Sequence, residues 1–146
     1  MELVRDGAGR CVVVVGRAAR ALERRAADEL VAHVALASGA RLEVVTDEAP
    51  PAEREVCVGA TTRAPGFSHK LPGPEAFGVR ESAGSLFIEG GDERGTLNGV
   101  YGFLDRSLGC RWLSSSVTVV PRSPDIVLRR PGFSDAPRLG YREVYY

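Results

Sequence analysis

Gly90-Gly91-Asp92-Glu93-Arg94-Gly95-Thr96-Leu97-Asn98-Gly99-Val100-Tyr101, carried on through Leu104 to Cys110-Arg111-Trp112-Leu113, spells out one complete structural unit. A strand ends at the glycine pair, and Asp92 is placed to accept from the free N–H groups of a helix start. Leu97, Val100, Tyr101, Leu104 and Leu108 then recur at helical spacing on one face. Asp92 and Glu93 complement the positive end of the helix dipole, and Gly109 offers the left-handed residue that ends a helix. The unit predicts a helix over 93–108 and a short strand at 111–113.

Working outward, Phe77–Glu81 and Ser85–Glu89 flank Ser82-Ala83-Gly84, which reads as a hairpin. Residues 60–75 hold Pro65, Gly66, Pro72, Gly73 and Pro74 without periodicity and read as a surface loop. Glu55–Val58 ends at Gly59 and reads as a strand; so do Arg41–Thr46 and the apolar run Cys11–Val15. Between the last two, Leu22, Ala26, Leu30, Val34 and Ala37 share one face of a helix over 20–38, stopped by Gly39. Downstream, Val117–Val120 and Asp125–Leu128 read as short strands, and the chain after Pro131 as extended and irregular. The order gives an α+β fold, a mixed β-sheet of about seven strands with two helices on one face.

The bulk numbers agree with one domain. The chain has 146 residues, 44% hydrophobic and 26% charged, which suits a single globular core. Nineteen basic residues balance nineteen acidic ones, so no net field draws the chain to nucleic acid or an anionic membrane. The longest apolar run, Cys11–Val15, falls far short of the roughly 20 residues a membrane helix needs. The N-terminus shows no signal peptide, and the compartment stays open. Cys11, Cys57 and Cys110 stand among apolar neighbours with no short spacing, and read as small buried hydrophobes rather than disulfide partners or zinc ligands.

Several constellations invite chemistry and do not support it. Val15-Gly16-Arg17 follows a strand and precedes a helix, yet the dinucleotide fingerprint needs three spaced glycines and Gly16 stands alone. The 90–95 stretch lacks the Lys-Ser/Thr pair of a phosphate loop, and its carboxylates would repel phosphate. Gly95, Gly99 and Gly102 read as points of close packing. His33 lies on the first helix with no H-E-x-x-H around it, and His69 lies in the Pro/Gly loop. Ser114-Ser115-Ser116 reads as a polar turn, and Asp47-Glu48 and Glu53-Arg54-Glu55 as solvated charges. No catalytic residue, cofactor or metal site is expected within the chain.

Together these segments resemble the non-catalytic N-terminal domain of retaining glycoside hydrolases, the α-glucuronidases of family 67 and the β-N-acetylhexosaminidases of family 20. The resemblance rests on Ser38-Gly39-Ala40, Val56-Cys57-Val58-Gly59, the run Leu86-Phe87-Ile88-x-Gly90-Gly91-x-x-Arg94-Gly95-Thr96-Leu97-x-Gly99-Val100-Tyr101, Gly109-Cys110-Arg111-Trp112-Leu113, and the proline after Val119-Val120. Asn98 departs from the pattern, where an aromatic residue is usual. Asp135-x-Pro137-Arg138-Leu139-x-Tyr141-Arg142 looks like the hexosaminidase entry into the first strand of a catalytic TIM barrel.

The resemblance implies an accessory domain over 1–131, and over 132–146 a linker and the start of a barrel that the chain does not contain. It implies that the partner is the polypeptide's own C-terminal barrel, contacted through 95–108 and the tail. Arg142 would touch hydroxyls of a bound sugar, but only with that barrel present. Two other readings stand beside it: a carbohydrate-binding module stacking sugars on Trp112, Tyr101 or Phe67, and a small nucleotide-binding domain resting on Val15-Gly16-Arg17.

Overall fold

Four consecutive valines, Val12–Val15, form strand β3, one strand in from the edge of a six-stranded sheet. A computed structural model describes residues 1–63, 70–129 and 131–138. In chain order the elements before the first helix are β1 (Glu2–Arg5), β2 (Ala8–Gly9) and β3, followed by α1 (Ala21–Ser38). Next come β4 (Val44–Thr46), β5 (Glu55–Val58), β6 (Phe77–Ser82), β7 (Ser85–Gly90) and α2 (Glu93–Phe103). A π-helical turn (Leu104–Leu108) leads to β8 (Arg111–Trp112), β9 (Thr118–Val119), β10 (Ile126–Val127) and β11 (Phe133–Asp135).

The main sheet runs β11-β6-β7-β5-β3-β4. Its β4, β3, β5 and β7 are parallel, while β6 and β11 are antiparallel to their neighbours. It is therefore mixed, as the hairpin and the helical crossover together require. Residues alternate across a strand, so Val13, Val15, Val56, Val58, Leu86 and Ile88 bury toward the helices. Val14, Cys57 and Phe87 bury together on the opposite face. Ala26, Leu30 and Val34 of α1 and Val100 and Phe103 of α2 join the first cluster, which puts both helices on one face. Gly39 and Gly109 end the helical segments at φ 79° and 75°, the left-handed conformation that favours glycine.

Four details differ from the sequence reading. The second helix is regular only to Phe103; the next five residues widen into the π turn, which keeps Leu104 fully buried while Asp105 and Arg106 point outward. The strand expected at 41–46 starts at Val44, because Leu42 is buried against the core cluster while Val44 is exposed. The N-terminal segment, unassigned from sequence, forms a three-stranded sheet in the order β10-β1-β2. Asp6 and Gly7, at φ 52° and 70°, make its tight turn, and Leu3 and Val4 are fully buried.

The fourth difference concerns the stretch after Pro131. It is a strand of the main sheet, with Phe133 opposite Val79 and Asp135 opposite Phe77. Arg106 holds β11 from the other side, donating to Asp135 at 2.7 Å and covering the Phe133 ring at 4.6 Å.

Candidate functional site

In open α/β sheets ligands bind beyond the C-terminal ends of the parallel strands, against helix N-termini. Here those positions are filled by the chain's own carboxylates. Asp92 Oδ1 accepts from the Gly95 N–H at 2.7 Å, the N-cap expected from sequence. Thr96 Oγ1 accepts from the Gly90 N–H at 3.1 Å and donates to the Asp92 carbonyl at 3.2 Å, closing the turn. Glu93 Oε2 accepts from the Leu22 N–H at 3.1 Å, so the first turn of α2 caps the first turn of α1. Glu23 accepts from Arg20 N–H at 2.9 Å and from Ala60 N–H at 3.2 Å, tying the start of α1 to the loop after β5.

Asp47 ties the strand ends further. Its carboxylate accepts from the Thr62 N–H at 2.8 Å and the Arg17 N–H at 2.9 Å, joining the loops after β4, β5 and β3. The two backbone donors, Thr62 foremost, hold the Asp47 carboxyl below its ordinary value. Glu55 is also structural rather than solvated. It faces the sheet side opposite the helices, is buried, and pairs with Arg63 at 3.1 Å. Arg63 in turn donates to the Asp47 carbonyl at 3.0 Å.

The glycines are equally committed to the fold. A Cβ on Gly16 would lie 2.4 Å from the Ala60 carbonyl oxygen, which closes the space a pyrophosphate would need. A Cβ on Gly95 would lie 2.6 Å from the carbonyl oxygens of both Pro74 and Ala76. Gly99 and Gly102 accommodate the Phe77 side chain. The helix therefore packs through its glycine positions onto its own sheet. A cleft of about 330 Å³ remains beside Arg20, Glu23, Glu89 and Asp92, and its acidic lining is hostile to phosphate.

The aromatic residues do not make a flat platform. Tyr101 and Trp112 meet edge to face, 5.1 Å apart with planes at 90°. His33 is buried, its Nδ1 2.8 Å from the Glu29 carbonyl oxygen and its ring 5.5 Å from Trp112. Burial first, and Glu29 second, raise the Tyr101 phenol above its usual value. Ser114 accepts from the N–H groups of Ser116 and Val117, the polar turn expected between β8 and β9. Cys57 and Cys110 are buried and Cys11 half-buried. Desolvation pushes the thiols of Cys11 and Cys57 up to about 11 and about 12, which leaves both inert at neutral pH.

Asn98, the departure from the family pattern, lines a second cleft of about 350 Å³ with Glu75, Arg94 and Asp135, beside the exit of β11. Arg94 and Glu75 are ion-paired across it at 3.2 Å. Phe67, His69, Tyr141 and Arg142 lie outside the described residues. Among the described residues no group of three or more His, Cys, Asp or Glu side chains is placed to hold a metal. None of the described helices is long and apolar enough to cross a membrane.

No family model matches this sequence, and no curated protein matches it. Solved structures do share its fold. An N-acetyl-β-hexosaminidase of Streptomyces plicatus aligns with a TM-score of 0.56 and 21% identity, over 90% of this chain and 23% of its own. A GH138 enzyme targeting pectin rhamnogalacturonan II aligns at 0.55 and 16%, over 90% of this chain and 12% of its own. A GH115 4-O-methyl-α-glucuronidase aligns at 0.55 and 15%, over 86% and 17%. The chain spans less than a quarter of the length of each of the three. Its fold is thus one that larger glycoside hydrolases carry as a minor part of their chains.

Proposed function

We propose that this chain is a non-catalytic accessory domain of a glycoside hydrolase, packing against and supporting a TIM-barrel catalytic domain that follows it in the polypeptide. The observation that carries the reading is the coverage. The fold matches 86–90% of this chain but only 12–23% of the three glycoside hydrolases. The site chemistry agrees, since the carboxylates at the strand ends are consumed in capping and cross-linking. In this reading β11 belongs to the accessory unit, the passage to the barrel begins after Asp135, and Arg142 reaches sugar hydroxyls once the barrel is in place. A guanidinium fork suits that contact, with several donors in fixed geometry.

The carbohydrate-binding alternative lacks support from the perpendicular Tyr101–Trp112 pair. The nucleotide alternative lacks room at Gly16. The supporting role is tested by deleting residues 1–135, the accessory unit with β11 included, from the longer polypeptide. The reading expects the remaining barrel to unfold at a clearly lower temperature, and an unchanged unfolding temperature would contradict it.

A further inference from the structure

The ribbon β8–β9 carries its apolar side chains on the wrong face for an isolated hairpin. Pairing sets Arg111 opposite Val119 and Trp112 opposite Thr118, and the Leu113 N–H donates to the Val117 carbonyl at 2.9 Å. Alternation therefore places Trp112 and Thr118 on one face and Leu113, Val117 and Val119 on the other. The Trp112 face rests on the helices, against Tyr101 and His33. On the outer face Leu113 is 68% exposed, Val117 48% and Val119 46%. Arg111 shares that face, but its guanidinium folds back onto the ribbon's root. There it donates to the carbonyls of Asp105 and Cys110 at 3.0 and 2.8 Å and pairs with the Asp105 carboxylate. What remains is a small apolar surface of three side chains, with its nearest charge paired.

We propose that this outer face docks onto the larger domain of the same polypeptide, with Leu113, Val117 and Val119 at the inter-domain contact; the proposal rests on the accessory-domain reading. The size of the patch selects the occupant. Three such side chains offer on the order of 300 Å² of apolar surface, against the roughly 800 Å² per partner that a stable free complex buries. A second copy of the chain, or a separate protein, would have to be held from dilute solution by too little surface. A domain in the same polypeptide is present at an effective concentration in the millimolar range, where a small patch suffices. The matching enzymes are much longer than the fold, which accounts for only 12–23% of their chains.

The test compares ribbon amide exchange in the 146-residue chain and in the longer polypeptide, each with and without the combined substitutions Leu113→Ser, Val117→Thr and Val119→Thr. The proposal expects the ribbon amides to exchange about tenfold or more slowly in the longer polypeptide. The substitutions should return that rate to the isolated chain's value while leaving the isolated chain's unfolding temperature unchanged. Equal exchange in both contexts, or protection that survives the substitutions, overturns the proposal. Self-association of the isolated chain that the substitutions abolish also overturns it, by assigning the face to a second copy. Glycoside hydrolysis by the longer polypeptide separates the two claims. Activity with an unprotected ribbon removes only the docking surface, whereas absence of activity removes the accessory-domain reading on which it rests.

Discussion

The side chain of Glu93, in the first turn of α2, accepts a hydrogen bond at 3.1 Å from the backbone N–H of Leu22, in the first turn of α1. Two residues 71 apart in sequence thereby join the N-termini of the two helices, and the space where an anion would bind is taken. Glu93→Ala should destabilise the chain by about 1–2 kcal/mol, the range of a lost N-terminal cap that leaves a partly buried donor unpaired. Urea unfolding checks this, with the exposed Arg94→Ala as the control expected to cost well under half as much.

Gly95 and Gly39 separate two reasons for a glycine. At Gly95 an added Cβ meets two backbone carbonyl oxygens at 2.6 Å, so the helix has to lift from its loop. Gly95→Ala should cost about 3 kcal/mol, at the upper end of overpacking penalties. At Gly39 nothing lies within 4 Å and only the positive φ of 79° matters, so Gly39→Ala should cost about 1 kcal/mol. Equal costs in thermal or urea unfolding would show that the close approach at Gly95 is wrongly placed.

Asp47 sets a pH dependence whose sign follows from its donors. The Thr62 and Arg17 N–H groups hold its carboxyl below the ordinary aspartate value of 3.8 when folded. The stability it contributes is therefore fully present above that value and is lost as pH falls through the lower folded value. Asp47→Asn should reduce stability at neutral pH and flatten the acid limb of the stability profile below about pH 4. An acid limb as steep as the parent's would show that other carboxyls carry it.

Ala83, with φ 50°, and Gly84, with φ 80°, form the β6–β7 turn. Alanine in the left-handed region costs about 1 kcal/mol or more, and asparagine tolerates it better. Ala83→Asn should raise the urea midpoint, by an amount equivalent to about 0.5–1 kcal/mol. An unchanged or lowered midpoint would count against the turn geometry.

What was legible in the sequence was local. The Gly90–Leu113 unit, the hairpin after residue 77, both helices and the Asp92 cap follow from spacing and turn chemistry within a few residues. The parts that escaped depend on distant partners. β11 is a strand only because β6 offers an open edge to Phe133–Asp135, and nothing in its own three residues announces that. The Glu23 and Glu93 caps were hidden because Arg20 occupies the position where Ser, Thr, Asp or Asn marks a helix start. Glu55 looked solvated beside Glu53 and Arg54 until β5 turned it toward Arg63. Asp6-Gly7 is a local signal of a different kind, a two-residue hairpin turn whose flanking strands are too short and charged to read as strands.

The central claim is most directly tested by assaying aryl-glycoside hydrolysis by the 146-residue chain and by the longer polypeptide side by side. The account predicts turnover by the longer polypeptide and none by the chain alone. Turnover by the chain alone, or none by a polypeptide that continues past Tyr146, would contradict it.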